Sequence, residues 1–193
     1  MAFPQVPLRR KPPHYLFQKI SFLMRIYLVG FMGSGKTTFG RKLAQKLGYA
    51  FADLDERLTA YTGKTIPELF TNLGEIGFRK LEQEVLHQTI TDADLVVSTG
   101  GGTPCFFDNM AWMNTNGKTV YMHLDAKALA NRLEHAKSPR PLLAGRKGEE
   151  LLHFIDEKLA ERQAFYQQAN MMVSGIDLTP EKLLIYLEAA QVR

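Results

Sequence analysis

Residues 30–38 read GFMGSGKTT and place Gly30, Gly35, Lys36 and Thr37 at the spacing GxxxxGK(S/T). Phosphate groups need several amide donors converging on one small volume, and glycines let the backbone turn tightly enough to supply them. A helix opening near Lys36 adds its positive end to the same point. Lys36 then reaches the β- and γ-phosphates of a nucleotide as a point charge, and the Thr37 hydroxyl suits a Mg²⁺ ligand. Gly33, Ser34, Gly35, Lys36, Thr37 and Thr38 are therefore the candidate nucleotide-binding residues. The alternative, a chance glycine-rich turn with a surface lysine, lacks the strand before and the amphipathic helix after that the mechanism demands; both are present in this sequence. The loop thus points to a nucleoside triphosphate as donor and leaves the acceptor open.

Asp53 and Asp55 stand two apart at the end of a short apolar run. In an extended chain both carboxylates point the same way, one toward a metal and an attacking hydroxyl, the other toward substrate hydroxyls. Asp53, nearer the sheet, takes the first role; the other reading of Asp55 is a simple helix cap. Arg79 and Glu82 form an i, i+3 pair, which is either a solvated surface bridge or a carboxylate orienting a guanidinium fork that grips a substrate anion. Arg162 falls on the inward stripe Leu151, Ile155, Leu159, Tyr166, where a cation requires a partner, either a bound anion or a buried acid. Gly100, Gly101 and Gly102 offer side-chain-free backbone for close ligand approach, or else a plain loop. Cys105, the single cysteine, reads as a small apolar filler. Residues 136–148 carry Lys137, Arg140, Arg146 and Lys147, with Gly145 and Gly148 as hinges. They are expected to form a mobile flap that brings a cation onto the transferring group, against the alternative of a solvated basic loop.

The elements that must position these residues alternate. Strands are expected at 25–30, 49–53, 95–98, 118–124 and 171–173. Helices are expected from Lys36 to Gly48, at 55–62, 66–73, 75–90 and 108–114, from 125 to about 135, from 149 to about 168, and at 180–190. That order predicts a parallel sheet covered by helices on both faces, with ligands at the carboxyl ends of the strands.

The chain has 193 residues, 45% hydrophobic and 23% charged, which suggests one ordinary soluble globular domain. No apolar run approaches the roughly 20 residues that a membrane-spanning helix needs. Of the 24 basic residues, four lie in residues 1–23, which hold no acid, so the other 20 balance the 20 acids. The net charge of +4 is thus a property of the tail and argues against a nucleic-acid partner, whose binders carry charge on a folded face. Residues 1–23, with Pro4, Pro7, Pro12 and Pro13 and no periodic pattern, are expected to be a disordered or loosely docked extension, or alternatively a transit peptide. Residues 24–193 are expected to form the single catalytic domain. One cysteine and no Cys/His cluster at zinc spacing fit a reducing compartment.

From residue 24 to about 186 the sequence resembles the shikimate kinase family. The matching signatures are GFMGSGKTT, DLD at 53–55, IPELF at 66–70, GEIGFRKLE at 74–82, GGG at 100–102, RPLL at 140–143, and Arg162 followed by Tyr166. The phosphate loop is shared with many ATPases and GTPases, but the ordered combination is specific. The resemblance implies a three-layer α/β/α P-loop fold on a five-stranded parallel sheet with a lid. It implies transfer from ATP to the 3-hydroxyl of shikimate with Mg²⁺, in the cytoplasm, by a monomer with small-molecule partners only. Lys36, Asp53 and Arg140 would be catalytic, with Thr37 and Asp53 at the metal. Asp55, Arg79, Glu82, Gly100, Gly101, Gly102 and Arg162 would surround shikimate, Arg132 would lie against adenine, and Arg140 would close over the phosphates. Ala164 stands where the family commonly has proline. Two other readings are a gluconate- or nucleoside-monophosphate-type kinase and a catalytically silent nucleotide-binding regulator; two arginines flanking paired aspartates suit a compact polyol carboxylate better than a nucleotide base.

Overall fold

The computed structural model describes residues 24–135, 143 and 145–191. Its strands are β1 (Arg25–Val29), β2 (Ala50–Asp53), β3 (Leu95–Ser98), β4 (Lys118–His123) and β5 (Met171–Ser174). Its helices are α1 (Lys36–Leu47), α2 (Leu54–Thr62), α3 (Ile66–Gln88), α4 (Asn109–Asn116), α5 (Ala126–Glu134), α6 (Gly148–Tyr166) and α7 (Pro180–Gln191). The sheet is all parallel in the order β2-β3-β1-β4-β5.

Period-two alternation in β1 sets the layers. Tyr27 and Val29 face a core completed by Leu54 and Leu58 of α2, Phe78 and Val85 of α3, and Met113 of α4. Ile26 and Leu28 face the opposite side, against Phe39 and Leu43 of α1 and Leu183 and Leu187 of α7. Because both faces of β1 are buried, RIYLV reads as an unbroken apolar run rather than an alternating one. A third cluster joins Phe31, just past β1, to Leu129 and Leu133 of α5 and Leu151 and Ile155 of α6.

The expected elements are present with small differences at their ends. Helix α3 runs through residue 74, where two helices were expected, yet Gly74 has φ 65° and ψ 177°, so the backbone breaks there inside one continuous assignment. A capping box between Thr65 and Glu68 opens α3, with Pro67 in its first turn. The helix ends at Gln88 and passes into a 3₁₀ turn over Thr89–Thr91. Helix α6 ends at Tyr166 rather than near 168.

The strand order matters most for the site. Inserting β3 between β1 and β2 is a crossover that brings the loops following β1, β2 and β3 side by side at the carboxyl edge of the sheet. Residues 30–38, 53–55 and 98–102 become neighbours there, at a topological switch point where α/β sheets bind ligands.

Candidate active site

The phosphate loop leaves β1 and enters α1 through Gly35, whose φ of 94° and ψ of 13° lie in the left-handed region that glycine tolerates. Gly30 and Gly33 also have positive φ, 140° and 82°. Lys36 is 7% exposed, and its ammonium donates to the carbonyls of Gly30 at 2.8 Å and Phe31 at 2.9 Å, so the loop is laced around its own lysine. No acid stands in the first turn of α1, which leaves the positive end of that helix facing the cleft.

Asp53 ends β2 and caps α2. Its Oδ1 accepts from the Asp55 amide at 3.1 Å, and its Oδ2 accepts from the Thr37 hydroxyl at 2.7 Å. The helix begins at Leu54, so Asp55 lies in its first turn and not in an extended strand; the alternation argument for a shared direction fails in detail. It is also Asp53, not Asp55, that makes the cap. Both nevertheless line one cleft with Lys36, Thr37, Gly100 and Gly101. The β2–β3 register sets Asp53 opposite Ser98, and the Ser98 hydroxyl lies 3.1 Å from that of Thr37. Thr37, Asp53 and Ser98 thus present three hard oxygens at one point. Ser98 escaped the sequence reading; its one signal is a polar residue closing the otherwise apolar strand LVVS.

Arg79 and Glu82 project from α3 into the protein, 6% and 1% exposed. Arg79 Nη1 donates to Glu82 Oε2 at 2.7 Å, while Glu82 Oε1 accepts from the Thr103 hydroxyl at 2.6 Å. The surface-bridge reading of this pair is therefore excluded by burial. Arg79 Nε is buried without a hydrogen-bond partner, and Nη2 lies 3.7 Å from the exposed Glu75. Nε and Nη2 form one edge of the guanidinium, the geometry that matches a carboxylate bidentately. Because a buried ion pair that loses one member leaves an uncompensated charge, Glu82→Ala is expected to cost about 3–5 kcal/mol of stability in urea unfolding. A loss under about 1 kcal/mol, the range of exposed pairs, would show that the pair is not isolated from water.

Gly100, Gly101 and Gly102 follow β3 and serve as space rather than as turn residues, since none has positive φ. A Cβ on Gly102 would lie 2.5 Å from Arg79 Nη2, and one on Gly100 would lie 2.8 Å from Glu82 Oε1. A Cβ on Gly101 would lie 3.6 Å from Arg162 Nη1. The two arginines thus stand against the glycine segment from α3 and α6. Arg162 is half-buried, its guanidinium 5.5 Å from the centre of the Phe31 ring, and no carboxylate among the described residues forms a salt bridge with it. Tyr166, one turn on, donates from its hydroxyl to the Gly101 carbonyl at 2.6 Å and so fastens the glycine segment to α6.

Burial pushes the Tyr166 hydroxyl far above its ordinary value, and burial pushes the Cys105 thiol up to about 11, against the opposing pull of Arg162 and Arg79. Both groups are uncharged at neutral pH. A protonated, half-buried thiol behaves as an apolar filler rather than a nucleophile.

Arg132, on α5, donates to the carbonyls of Ser34 and Gly175, both at 3.2 Å, and borders a second cavity on the other side of the loop with Gly35, Thr38, Lys42, Met122 and Leu178. Arg140 lies outside the described residues, as do most of those expected to form the flap. Gly145 and Gly148, near the end of that segment, have φ of 80° and 55°, in the left-handed region that glycine tolerates. Among the described residues no cluster of three or more His, Cys, Asp or Glu could hold a metal ion.

The family model for shikimate kinase matches residues 32–190. The shikimate kinase of Bacteroides fragilis is 50% identical over 148 residues, 77% of this chain and 83% of that protein. The 1.7 Å crystal structure of shikimate kinase from Bacteroides thetaiotaomicron superposes with a TM-score of 0.81 at 41% identity, covering 88% of this chain and 99% of the other. Shikimate kinase from Acinetobacter baumannii in complex with shikimate gives a TM-score of 0.80 at 33% identity, covering 92% and 99%.

Proposed function

The chain belongs to the shikimate kinase family, and from that premise we propose that it transfers the γ-phosphoryl group of ATP to the 3-hydroxyl of shikimate, releasing ADP and shikimate 3-phosphate. The observation that carries this reading is a single cleft shared by the two halves of the chemistry. Lys36 and Thr37 of the phosphate loop line it together with Asp53, Asp55 and Gly101.

Each half has its own work. The amides of Gly33, Ser34, Gly35 and Thr38 cradle the phosphates, and Lys36 stabilises the charge that builds on the transferring group. The Nε–Nη2 edge of Arg79 and the guanidinium of Arg162 hold the shikimate carboxylate. Asp55 accepts from the ring hydroxyls, and the backbone at Gly100, Gly101 and Gly102 allows the ring to approach. Asp53 sits beside the attacking 3-hydroxyl, whose proton passes to the Asp53 carboxylate as the O–P bond forms and the bond to the ADP oxygen breaks. Arg132 borders the base-side cavity, and Arg140 would swing over the phosphates from a lid at about 136–148. Hydrogen-bonding substrate hydroxyls in this way favours a polyol carboxylate over a nucleotide acceptor.

Thr37 and Asp53 are the residues that would hold Mg²⁺, with Ser98 behind them. Their hard oxygens fit an ion that takes few protein ligands and keeps phosphate and water oxygens. When bound, the ion would neutralise negative charge on the nucleotide phosphates. Residues 24–193 are proposed to act as one kinase domain and as a monomer, as the family resemblance implies. The cytoplasm is the proposed location, and no helix among the described residues is long and apolar enough to cross a membrane.

A coupled assay of ADP release with ATP, Mg²⁺ and a panel of acceptors tests the assignment. Turnover is expected with shikimate and not with gluconate or a nucleoside monophosphate. Preference for gluconate or a nucleotide would remove the acceptor and leave a kinase. ATP binding without turnover of any acceptor would support the silent regulator instead.

A further inference from the structure

The turn that follows Gly102 brackets the Arg79 guanidinium on two sides. On one edge Thr103, fully buried, donates to Glu82 Oε1 at 2.6 Å, while the other oxygen of Glu82 holds Arg79 Nη1. The Thr103 carbonyl is itself held by the side-chain amide of buried Asn109 at 2.9 Å, so the hydroxyl is fixed from α4. On the flat face, the Phe106 ring centroid is 4.3 Å from the Arg79 guanidinium carbon, nearer than Phe78 at 5.1 Å or Phe70 at 5.6 Å. A left-handed residue stands next door: Phe107 has φ of 51°, rare for an aromatic residue, and is 51% exposed, whereas Phe106 is half-buried. The two contacts consume the Nη1 edge and one face of the guanidinium. On the remaining edge, among the described residues, Nε has no hydrogen-bond partner and Nη2 meets only the exposed Glu75, at 3.7 Å, so that edge is the one a ligand can take.

We propose that the 103–106 turn is a positioning element for the acceptor, with Phe106 as the platform that sets the plane of Arg79 and Thr103 setting its roll through Glu82. The inference rests on the assignment of Arg79 to the shikimate carboxylate. A guanidinium grips a carboxylate bidentately only when both planes agree, so freedom of rotation is paid as weaker acceptor binding. Neither residue lines the cleft that holds Lys36, Asp53 and Asp55.

The test is steady-state kinetics on the full chain with Phe106→Leu and Thr103→Val. The first removes the ring and keeps an apolar side chain, and the second removes the hydroxyl and keeps the shape. Each should raise KM for shikimate roughly 3- to 20-fold, the range of one cation–π contact and less than the loss of a direct charge-assisted hydrogen bond to the acceptor, because both residues act through Arg79. The kcat and the KM for ATP should stay near those of the parent. Phe106→Tyr and Thr103→Ser restore the ring and the hydroxyl and should restore KM, which packing alone does not predict. In an Arg79→Ala background, Phe106→Leu should add nothing further. If Phe106→Leu and Thr103→Val kept the parental KM while Arg79→Ala raised it, the positioning role would be wrong and the acceptor assignment would stand. If Arg79→Ala had no effect on KM for shikimate, both would fall. A parallel loss of shikimate and ATP use, unrepaired by Tyr or Ser, would make the turn a plain structural support and overturn the inference.

Discussion

Replacing Lys36 with Met is expected to lower kcat by about 10²-fold or more, because catalysis of phosphoryl transfer is mostly positioning and charge stabilisation, and preorganised groups of this kind contribute on that scale. Lys36 is 7% exposed and its ammonium is held by the Gly30 and Phe31 carbonyls at 2.8 and 2.9 Å, so its position is set before any phosphate arrives. A side chain held in place loses little freedom when the transition state forms, and its charge acts in a cleft partly withdrawn from water. Methionine keeps the unbranched reach and removes the charge. Single-turnover measurement with saturating substrates checks the effect on chemistry itself, and a thermal melt alongside it checks that the loop still folds. A Lys36→Met enzyme with a near-parental rate would remove the lysine from the mechanism.

The second large effect concerns the acceptor. Arg79→Lys keeps a cation for buried Glu82 and removes the fork, and Arg162→Ala removes the other guanidinium. Each is expected to raise KM for shikimate roughly 10- to 150-fold, the value of charge-assisted hydrogen bonds converted to affinity, while ATP binding measured by calorimetry stays near the parental value. The lysine variant is the more informative at position 79, because Arg79→Ala also strands a carboxylate that is 1% exposed. Equal losses of ATP and shikimate affinity would make these arginines structural or part of the nucleotide site.

Much of this was legible in the sequence for identifiable reasons. The phosphate loop is a local device whose parts are adjacent in the chain, so its spacing alone carries its chemistry. The alternation of strands and helices, and the break at Gly74, likewise depend on short-range pattern. The burial of Arg162 was half visible, because the stripe through Leu151, Ile155 and Tyr166 runs along one helix. What stayed hidden depends on strand order. Ser98 meets Thr37 only because β3 is inserted between β1 and β2, and Thr103 meets Glu82 only because the glycine segment passes beneath α3. The Arg79–Glu82 pair was open between surface and core for the same reason: i, i+3 spacing is equal in both, and only the packing of Phe78 and Phe106 around it separates them. The aspartates show a subtler limit. Their shared cleft was foreseen from strand geometry, yet the chain turns helical at Leu54 and brings them together through a cap instead.

The central claim is that the phosphoryl group passes from ATP to one hydroxyl of shikimate. Phosphorus–proton correlation NMR of the product formed from ATP, Mg²⁺ and shikimate tests it most directly. A phosphorus resonance coupled to the ring proton at carbon 3 is the expected result; coupling to carbon 4 or 5, or release of free phosphate with shikimate unchanged, would contradict it.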